Sequence, residues 1–236
     1  MNRSVQFINL GEKEYKEVWD FQENLLNKII EIKKGNKSLP AHKKINTPNY
    51  LIFCEHPHVY TLGKSGSGQN LLINYLQLQA KNASFFHTNR GGDITYHGPG
   101  QIVGYPVFDL ENFNIGLREY IFLLEEAIIL TLKAYGLDGS RLEKATGVWL
   151  DADDPLKARK ICAIGVRSTR YVTMHGFALN VNTDLEYFQH INPCGFVDKG
   201  VTSLEKETGK KQNIEAVENI LKEQLKTVFK IENWLS

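Results

Sequence analysis

Three cysteines are the first candidates for chemistry in this chain, and their sequence surroundings differ. Cys54 ends the apolar run L-I-F-C, and Cys162 lies inside the apolar segment K-I-C-A-I-G-V, so we expect both to be buried packing residues. Cys194 lies in I-N-P-C-G, where the proline holds the preceding residue extended and the glycine permits a sharp turn. We expect that thiol at the apex of a loop, where a nucleophile is accessible.

A nucleophilic cysteine needs a neighbouring group that forms or stabilises its thiolate. His97 and His175 are available for this role, since histidine is the usual partner. Lys160 is a third candidate, because a desolvated lysine has a lowered pKa and can exchange protons. A lysine at the end of a strand is more often a solvated residue, so the residues alone leave the partner of Cys194 open.

The densest mixture of glycines and polar residues is the stretch R-G-G-D-I-T-Y-H-G-P-G-Q at positions 90–101. Its four glycines allow the backbone to approach a ligand closely and to adopt positive φ angles. The polar side chains among them are Arg90, Thr95, Tyr96, His97 and Gln101. A tight hairpin with incidental polar residues is the alternative, but five polar groups among four glycines favour a binding loop.

Two other kinds of site find little support. The sequence G-K-S at 63–65 lacks the glycine that a phosphate-binding loop carries five positions earlier, because His58 stands there. His56 and His58 share one side of any strand, but no C-x-x-C or H-E-x-x-H spacing accompanies them. We therefore expect no metal site.

Composition indicates an ordinary globular protein. The chain has 236 residues, 42% of them hydrophobic, and 28 basic against 27 acidic residues give a formal net charge of +1. These values exclude a disordered or collagen-like chain and give no bulk electrostatic sign of nucleic-acid binding. We expect no membrane span, since no stretch has about 18 uncharged apolar residues. Three cysteines and no signal-peptide pattern predict a reduced, cytoplasmic protein.

The elements that must position these residues follow from hydrophobic periodicity. Helices are predicted over 12–33, 117–135 and 214–229, and strands over 51–54, 85–87, 148–150, 161–166 and 172–181. The segment 55–69 and the basic stretch 33–44 are predicted to be loops. Strands cluster rather than alternate with helices, so we predict one α+β domain over residues 1–236 with mixed, largely antiparallel sheets.

The stretch at 90–101 closely resembles the signature of the lipoyl(octanoyl) transferases. Three further segments resemble that family in the same order: E-H-P-H-V-Y-T-L-G at 55–63, the pair K-I-C-A-I-G-V and M-H-G-F-A-L-N-V at 160–166 and 174–181, and I-N-P-C-G at 191–195. The resemblance covers roughly residues 50–205. It implies the α+β fold that the family shares with biotin and lipoate ligases.

The resemblance also implies an activity and its residues. The family transfers an octanoyl group from octanoyl-acyl carrier protein to a lysine of lipoyl domains, in 2-oxoacid dehydrogenase complexes and in the glycine cleavage H protein, as the first step of lipoate synthesis. By resemblance, Cys194 is the acyl-accepting nucleophile, and Lys160 lowers its pKa and acts as acid and base. Neither a cofactor nor a nucleic-acid or membrane partner is implied. The implied substrate-binding residues are Arg90, Gly91, Gly92, Asp93, Ile94, Thr95, Tyr96, His97, Ala163, Ile164, Gly165, Gly176, Phe177 and Ala178.

Three other activities remain open at this point. An ATP-dependent lipoate or biotin ligase of the same fold forms an acyl-adenylate and has no need of Cys194. A catalytically silent scaffold would bind acyl carrier protein or lipoyl domains without reaction. A cysteine hydrolase would use Cys194 with His97 or His175 and release free octanoate. The basic stretch 33–44 is a hypothetical attraction site for an acidic carrier protein.

Overall fold

The computed structural model describes residues 2–192 and 200–235, and twelve strands and six α-helices lie within them. The strands are β1 (Val5–Glu12), β2 (Tyr50–Glu55), β3 (Val59–Leu62), β4 (Ser84–His87), β5 (Ile94–His97), β6 (Gln101–Val107), β7 (Ser140–Leu142), β8 (Ala145–Leu150), β9 (Arg159–Thr169), β10 (Val172–Asn180), β11 (Gly200–Val201) and β12 (Trp234–Leu235). The helices are α1 (Tyr15–Asn36), α2 (Tyr75–Ala80), α3 (Leu110–Phe113), α4 (Leu117–Lys133), α5 (Leu204–Thr208) and α6 (Ile214–Phe229). Three short 3-10 turns lie at Ala41–Lys43, Gly68–Asn70 and Leu185–His190.

The larger sheet has the strand order β12-β1-β2-β6-β10-β9-β8-β7, with β11 beside one end of β9. β1 runs parallel to β2 and to β12, and β11 runs parallel to β9. The other neighbours in this sheet are antiparallel. The predicted α+β class with mixed, largely antiparallel sheets is therefore confirmed.

Helices cover both faces of this sheet. On one face α4 packs against α6, and their apolar side chains form a core with residues such as Phe53 and Phe177. On the other face α1 contributes Val18 and Leu26 to a second core with β2, β6 and β10. Because both faces are covered, every residue of β6 and β10 is buried.

A smaller sheet of three strands, in the order β4-β3-β5, lies apart from the larger one. The prediction of an unbroken loop over 55–69 is wrong here, because Val59–Leu62 forms β3 and all four of its residues are buried. Tyr60 and Leu62 pack with Leu78 of α2, and they enclose the third apolar cluster. The glycines and serines that follow Leu62 are typical of a loop, so this four-residue strand was not predicted from the sequence.

The first forty residues also differ from the prediction. β1 was not predicted, and α1 ends at Asn36, so it continues through Gly35 rather than ending before the basic stretch. Lys33, on the last turns of α1, forms an ion pair of 2.5 Å with Asp109 and another of 2.9 Å with Glu111. The predicted C-terminal helix 214–229 is confirmed at both ends. At its N-terminus, the Asn213 side chain accepts a hydrogen bond from the first turn.

Across residues 2–192 and 200–235, none of the helices combines the length and the apolar character needed to cross a bilayer.

Candidate active site

A cavity of about 820 Å³ opens between the small sheet, the central strands of the larger sheet and the β7–β8 hairpin. Its volume is typical of a small-molecule site. Apolar residues such as Val103, Ala163 and Ala178 line part of it, and polar residues of β5, β6 and β10 line another part.

Most of the sequence-predicted site residues meet at this cavity. Those on its wall are Lys160, Arg90, Gly92, Asp93, Ile94, Thr95, His97, Ala163, Ile164, Gly165, Gly176, Phe177 and Ala178. Tyr96 and Gly91 are not among the residues that line it. Tyr96 lies on the opposite face of β5, where it stacks on Tyr187, and the amide of Gly91 donates to the carbonyl of Val166.

Cys194, the predicted nucleophile, lies outside the described residues. The chain is described up to Asn192 and again from Gly200, and both of these residues line the cavity. Asn192 is held by a bond from its amide to the carbonyl of Asn70, and Gly200 begins β11 beside β9. Cys194 follows Asn192 by two positions in the sequence.

Lys160 is positioned by contacts with β8 on one side and with the residue after β11 on the other. A bulge between Val148 and Trp149 sets Trp149 opposite Lys160. The Lys160 Nζ donates a 3.2 Å hydrogen bond to the carbonyl of Thr146, and it lies 4.6 Å from the centroid of the Trp149 ring. On the other side of β9, the Lys160 carbonyl accepts from the amide of Thr202. Lys160 is thus held on the cavity wall by a carbonyl oxygen and an aromatic face.

Arg90 anchors the glycine-rich loop from inside. Its side chain is buried and donates to the carbonyl and the hydroxyl of Thr61 on β3, and to the carbonyl of Gly91. The loop packs so closely on β3 that a Cβ at Gly63 would lie 2.3 Å from the carbonyl oxygen of Gly92. Glycine is therefore required at position 63 for close packing of the loop on β3, and not for a phosphate-binding loop.

The orientation of His97 is set by a chain of hydrogen bonds. The Asn180 side chain donates to the carbonyl of Thr202 and accepts from the Gln101 amide, which also donates to the carbonyl of Tyr96. The Gln101 oxygen is therefore left as the acceptor, and the Nδ1–H of His97 donates to it over 2.8 Å. This assigns the neutral tautomer with the proton on Nδ1.

Two further buried histidines, His56 and His175, have defined hydrogen bonds. The Nε2–H of His175 donates to the Asn89 side chain, and the Nδ1–H of His56 donates to the carbonyl of Lys13. Burial lowers the pKa of His97 and of His175 to about 3, and that of His56 to about 4. The positive charge of Arg90 further lowers the pKa of His97 and His175. All three imidazoles are consequently neutral and weakly basic at neutral pH.

Among the described residues, sequence reasoning missed four aromatic residues on the cavity wall: Tyr15, Tyr105, Trp149 and Phe188. Tyr15 begins α1 and stacks on His97 with the rings 9° from parallel, and Tyr105 of β6 donates its hydroxyl to His56. Desolvation raises the pKa of Tyr15 to about 12, so its hydroxyl is protonated at neutral pH. The periodicity of α1 marked Tyr15 as a buried position, but nothing in the sequence connected it to the glycine-rich loop.

The described part of the chain offers no obvious metal centre. Within residues 2–192 and 200–235, no three histidine, cysteine or acidic side chains converge closely enough to hold an ion.

The family model of the lipoyl protein ligase A/B catalytic domain matches residues 14–226. The chain belongs to this family. Curated relatives include an octanoyltransferase of Christiangramia forsetii, 56% identical over 233 residues that cover 98% of each chain. Another is an octanoyltransferase of Flavobacterium psychrophilum, 58% identical over 94% of this chain and 95% of its own. These relatives place the chain among the lipoyl(octanoyl) transferases, and the protein is an acyltransferase.

Solved structures share the fold at low sequence identity. A chain from the archaeal lipoylation system of Thermoplasma acidophilum, a bi-partite lipoate protein ligase with its E2 lipoyl domain, superposes with a TM-score of 0.70 and 14% identity. The match covers 99% of this chain and 86% of that one. Lipoate-protein ligase A bound with ATP gives a TM-score of 0.64 at 14% identity, over 100% and 88% of the two chains. The chain thus has the fold of the lipoate-protein ligases, as the sequence predicted.

Proposed function

We propose that this acyltransferase moves an octanoyl group from octanoyl-acyl carrier protein to a specific lysine of lipoyl domains, through a thioester on Cys194. The acceptors are the lipoyl domains of 2-oxoacid dehydrogenase complexes and the glycine cleavage H protein. The names of the relatives support octanoyl transfer in protein lipoylation. The donor, the thioester and the acceptors are the parts that experiment must test.

One observation carries the proposal. Lys160 lies on the same cavity wall as Asn192 and Gly200, the described residues on either side of the segment that contains Cys194. A lysine ammonium beside a cysteine lowers the pKa of the thiol and so supplies the thiolate that attacks a thioester. A reducing cytoplasm, the location we propose, keeps such a thiol free of disulfides.

In the first half-reaction, the Cys194 thiolate attacks the carbonyl carbon of the donor thioester. The bond to the carrier's sulfur breaks, and the departing thiolate takes a proton from the Lys160 ammonium. One thioester replaces another, so the step needs no nucleotide. Backbone N–H groups of the glycine-rich loop would stabilise the oxyanion, each contributing about 3–4 kcal/mol in comparable sites.

In the second half-reaction, the acceptor lysine arrives as an ammonium and must lose two protons to become an amide nitrogen. One proton goes to the neutral Lys160 amine, and the other goes to solvent. The acceptor nitrogen attacks the acyl-enzyme, the amide forms and the Cys194 thiolate leaves. Lys160 is again an ammonium, so the pair returns to its starting state.

The cavity wall suits the hydrocarbon part of the substrate. Ala163 and Ala178 are cross-strand neighbours on β9 and β10, and Val103 of β6, opposite Ala178, adds a larger apolar side chain. Each buried methylene contributes about 0.8 kcal/mol. One methylene more or less therefore changes binding only modestly, so an enzyme of this kind prefers a chain length without absolute discrimination.

The histidine geometry weighs against the cysteine-hydrolase alternative. His97 and His175 do line the cavity, but each has one ring nitrogen held in a hydrogen bond and a pKa lowered by burial to about 3. An imidazole with so low a pKa is a poor base and does not form an ion pair with a thiolate near neutral pH. Lys160 is therefore the partner that we propose for Cys194.

The test is intact-mass spectrometry of the purified protein with octanoyl-acyl carrier protein and no ATP. The proposal expects a gain of one octanoyl group that is absent in Cys194→Ala and that moves to an added lipoyl domain. Transfer that appears only with ATP and free octanoate would instead establish a ligase. An adduct that persists in Cys194→Ala would overturn the nucleophile assignment.

A further inference from the structure

A buried carboxylate lies behind the wall that holds Lys160. Glu125 is on α4 and is only 8% exposed. Its Oε1 accepts a hydrogen bond of 3.0 Å from the backbone N–H of Gly147, and its Oε2 accepts one of 3.0 Å from the Nε of Arg141. Both oxygens therefore have donors on the β7–β8 hairpin, which forms one edge of the cavity.

Arg141 is itself fixed against α4. Its Nη2 donates to the Glu126 side chain over 2.7 Å and to the carbonyl of Phe122 over 3.0 Å. Its guanidinium lies 3.8 Å from the centroid of the Phe122 ring. Since the arginine has little freedom, the carboxylate of Glu125 has a defined orientation toward Gly147.

A single peptide group joins Glu125 to Lys160. The N–H of Gly147 and the carbonyl of Thr146 belong to the same planar peptide unit, and that carbonyl accepts the hydrogen bond from the Lys160 Nζ. A carboxylate at the N–H end and an ammonium at the C=O end polarise the peptide in the same direction, which strengthens both bonds.

The backbone at this point permits no other residue than glycine. Gly147 has a φ of +123°, and a Cβ there would lie 2.5 Å from the carbonyl oxygen of Cys162. Both charges also reach the thiol of Cys162, whose pKa is lowered by Lys160 and raised by Glu125, though burial is the larger effect. The carboxylate and the ammonium therefore act on the same small region of β8 and β9.

We propose that Glu125 is a positioning residue for Lys160, acting through the peptide group between Thr146 and Gly147. It keeps the carbonyl of Thr146 aimed at the ammonium, and so keeps Lys160 on the cavity wall. The inference rests on the proposed function, in which Lys160 is the partner of Cys194. Glu125 touches neither the substrate nor the reacting sulfur in this scheme.

The experiment compares E125A, E125Q, E126A and K160A with the parent enzyme. For each, the rate of Cys194 alkylation by iodoacetamide is followed against pH, with peptide mapping to locate the label. The single-turnover rate of acylation by octanoyl-acyl carrier protein and the urea unfolding curve are measured alongside. E126A is the matched control, because Glu126 binds the same arginine but does not contact the peptide of Thr146 and Gly147.

We expect the alkylation profile of E125A to shift toward that of K160A, with an acylation rate at least about tenfold lower, since small displacements of a reacting group cost this much or more. E125Q keeps an oxygen that can accept from Gly147, so it should restore part of the rate. E126A should keep the parent profile. If E125A does not fold, E125Q against E126A gives the same comparison.

Three results would overturn the inference, and they differ from one another. A shifted profile in K160A with a parent-like profile in E125A removes Glu125 and leaves the proposed function standing. Equal effects in E125A and E126A, matched by equal losses of stability, reduce Glu125 to a structural role. A parent-like profile in K160A removes the role of Lys160 from the proposed function, and the positioning role of Glu125 with it.

Discussion

The Nζ of Lys160 lies 4.6 Å from the centroid of the Trp149 ring, across the bulged pairing of β9 with β8. The ring is almost fully buried, and its Nε1–H donates to the carbonyl of Ala145. A cation over an indole face gains about 0.5–2 kcal/mol relative to one without it. The ring thus favours the ammonium form of Lys160, which is the form that stabilises a thiolate.

Substitution of Trp149 should therefore slow acylation in a graded way. Trp149→Phe keeps a weaker aromatic face and loses the bond to Ala145, whereas Trp149→Leu loses the face entirely. We expect the single-turnover acylation rate to fall in the order tryptophan, phenylalanine, leucine, by up to about 30-fold for a loss of about 2 kcal/mol. Rates are corrected for the folded fraction by urea unfolding. A leucine variant as fast as the parent would show that the ring has no such role.

The three thiols should differ sharply in reactivity. Cys54 and Cys162 are 0% exposed, and burial raises the pKa of both thiols well above the usual range. We predict that iodoacetamide labels Cys194 in the native protein and reaches the other two only after unfolding. Peptide mapping before and after addition of urea measures this. Native labelling at Cys54 or Cys162 would contradict the packing role assigned to them.

Much of the fold and of the candidate site could be predicted from local sequence. Cys54 and Cys162 lie in apolar runs, so their burial followed from their neighbours in the sequence, and the ends of α6 followed from apolar periodicity. The four ordered segments also pointed to the correct family. Of the described residues that these segments predicted for the site, thirteen line the cavity.

The remainder depends on contacts that no local pattern encodes. Tyr96 was included in the site because it lies within the signature, yet the period of two along β5 turns it away from Thr95 and His97. The bulge at Trp149 lies in the pairing of β8 with β9, and the Glu125 carboxylate meets Gly147 across 22 residues of sequence. Periodicity marks Glu125 only as part of an amphipathic helix.

The buried histidines predict a loss of stability in mild acid. His97 and His175 have pKa values lowered to about 3 and His56 to about 4, against about 6.5 in the unfolded chain. A depressed pKa means that the unfolded state binds more protons. The stabilisation is therefore complete above pH 6.5 and is lost as the pH falls toward 3 to 4.

Between pH 7 and pH 5 each of these histidines should cost about 2 kcal/mol of unfolding free energy. Urea unfolding at several pH values measures the slope. His175→Asn is the matched variant, because asparagine tolerates the φ of +57° at this position and does not titrate. In this variant, the unfolding free energy should depend less steeply on pH than in the parent, by the equivalent of about one bound proton. An unchanged slope would mean that His175 is not the titrating group.

The width of the apolar wall predicts a change in chain-length preference. Ala163 faces the cavity beside Ala178 on the neighbouring strand. Ala163→Leu adds three carbon atoms to the wall and should favour shorter acyl chains, by roughly fourfold per methylene at about 0.8 kcal/mol each. Competition between hexanoyl, octanoyl and decanoyl carrier proteins, read by intact mass, measures the preference. A variant that is slower with all three chains to the same degree would contradict an acyl-binding role for Ala163.

The basic stretch 33–44 should have no part in donor docking. α1 has 22 residues and hence a length of about 33 Å, so Tyr15 at its first turn lies on the cavity and the basic stretch lies at the far end. Neutralising the exposed Lys37, Lys43 and Lys44 should leave the acylation rate and its salt dependence unchanged. Lys144 and Lys206 are exposed on the cavity wall itself, and neutralising them should slow acylation at low salt, because charge near a docking site speeds association. Slower acylation in the first variant but not in the second would place the carrier at the far end of α1, about 30 Å from Lys160's cavity.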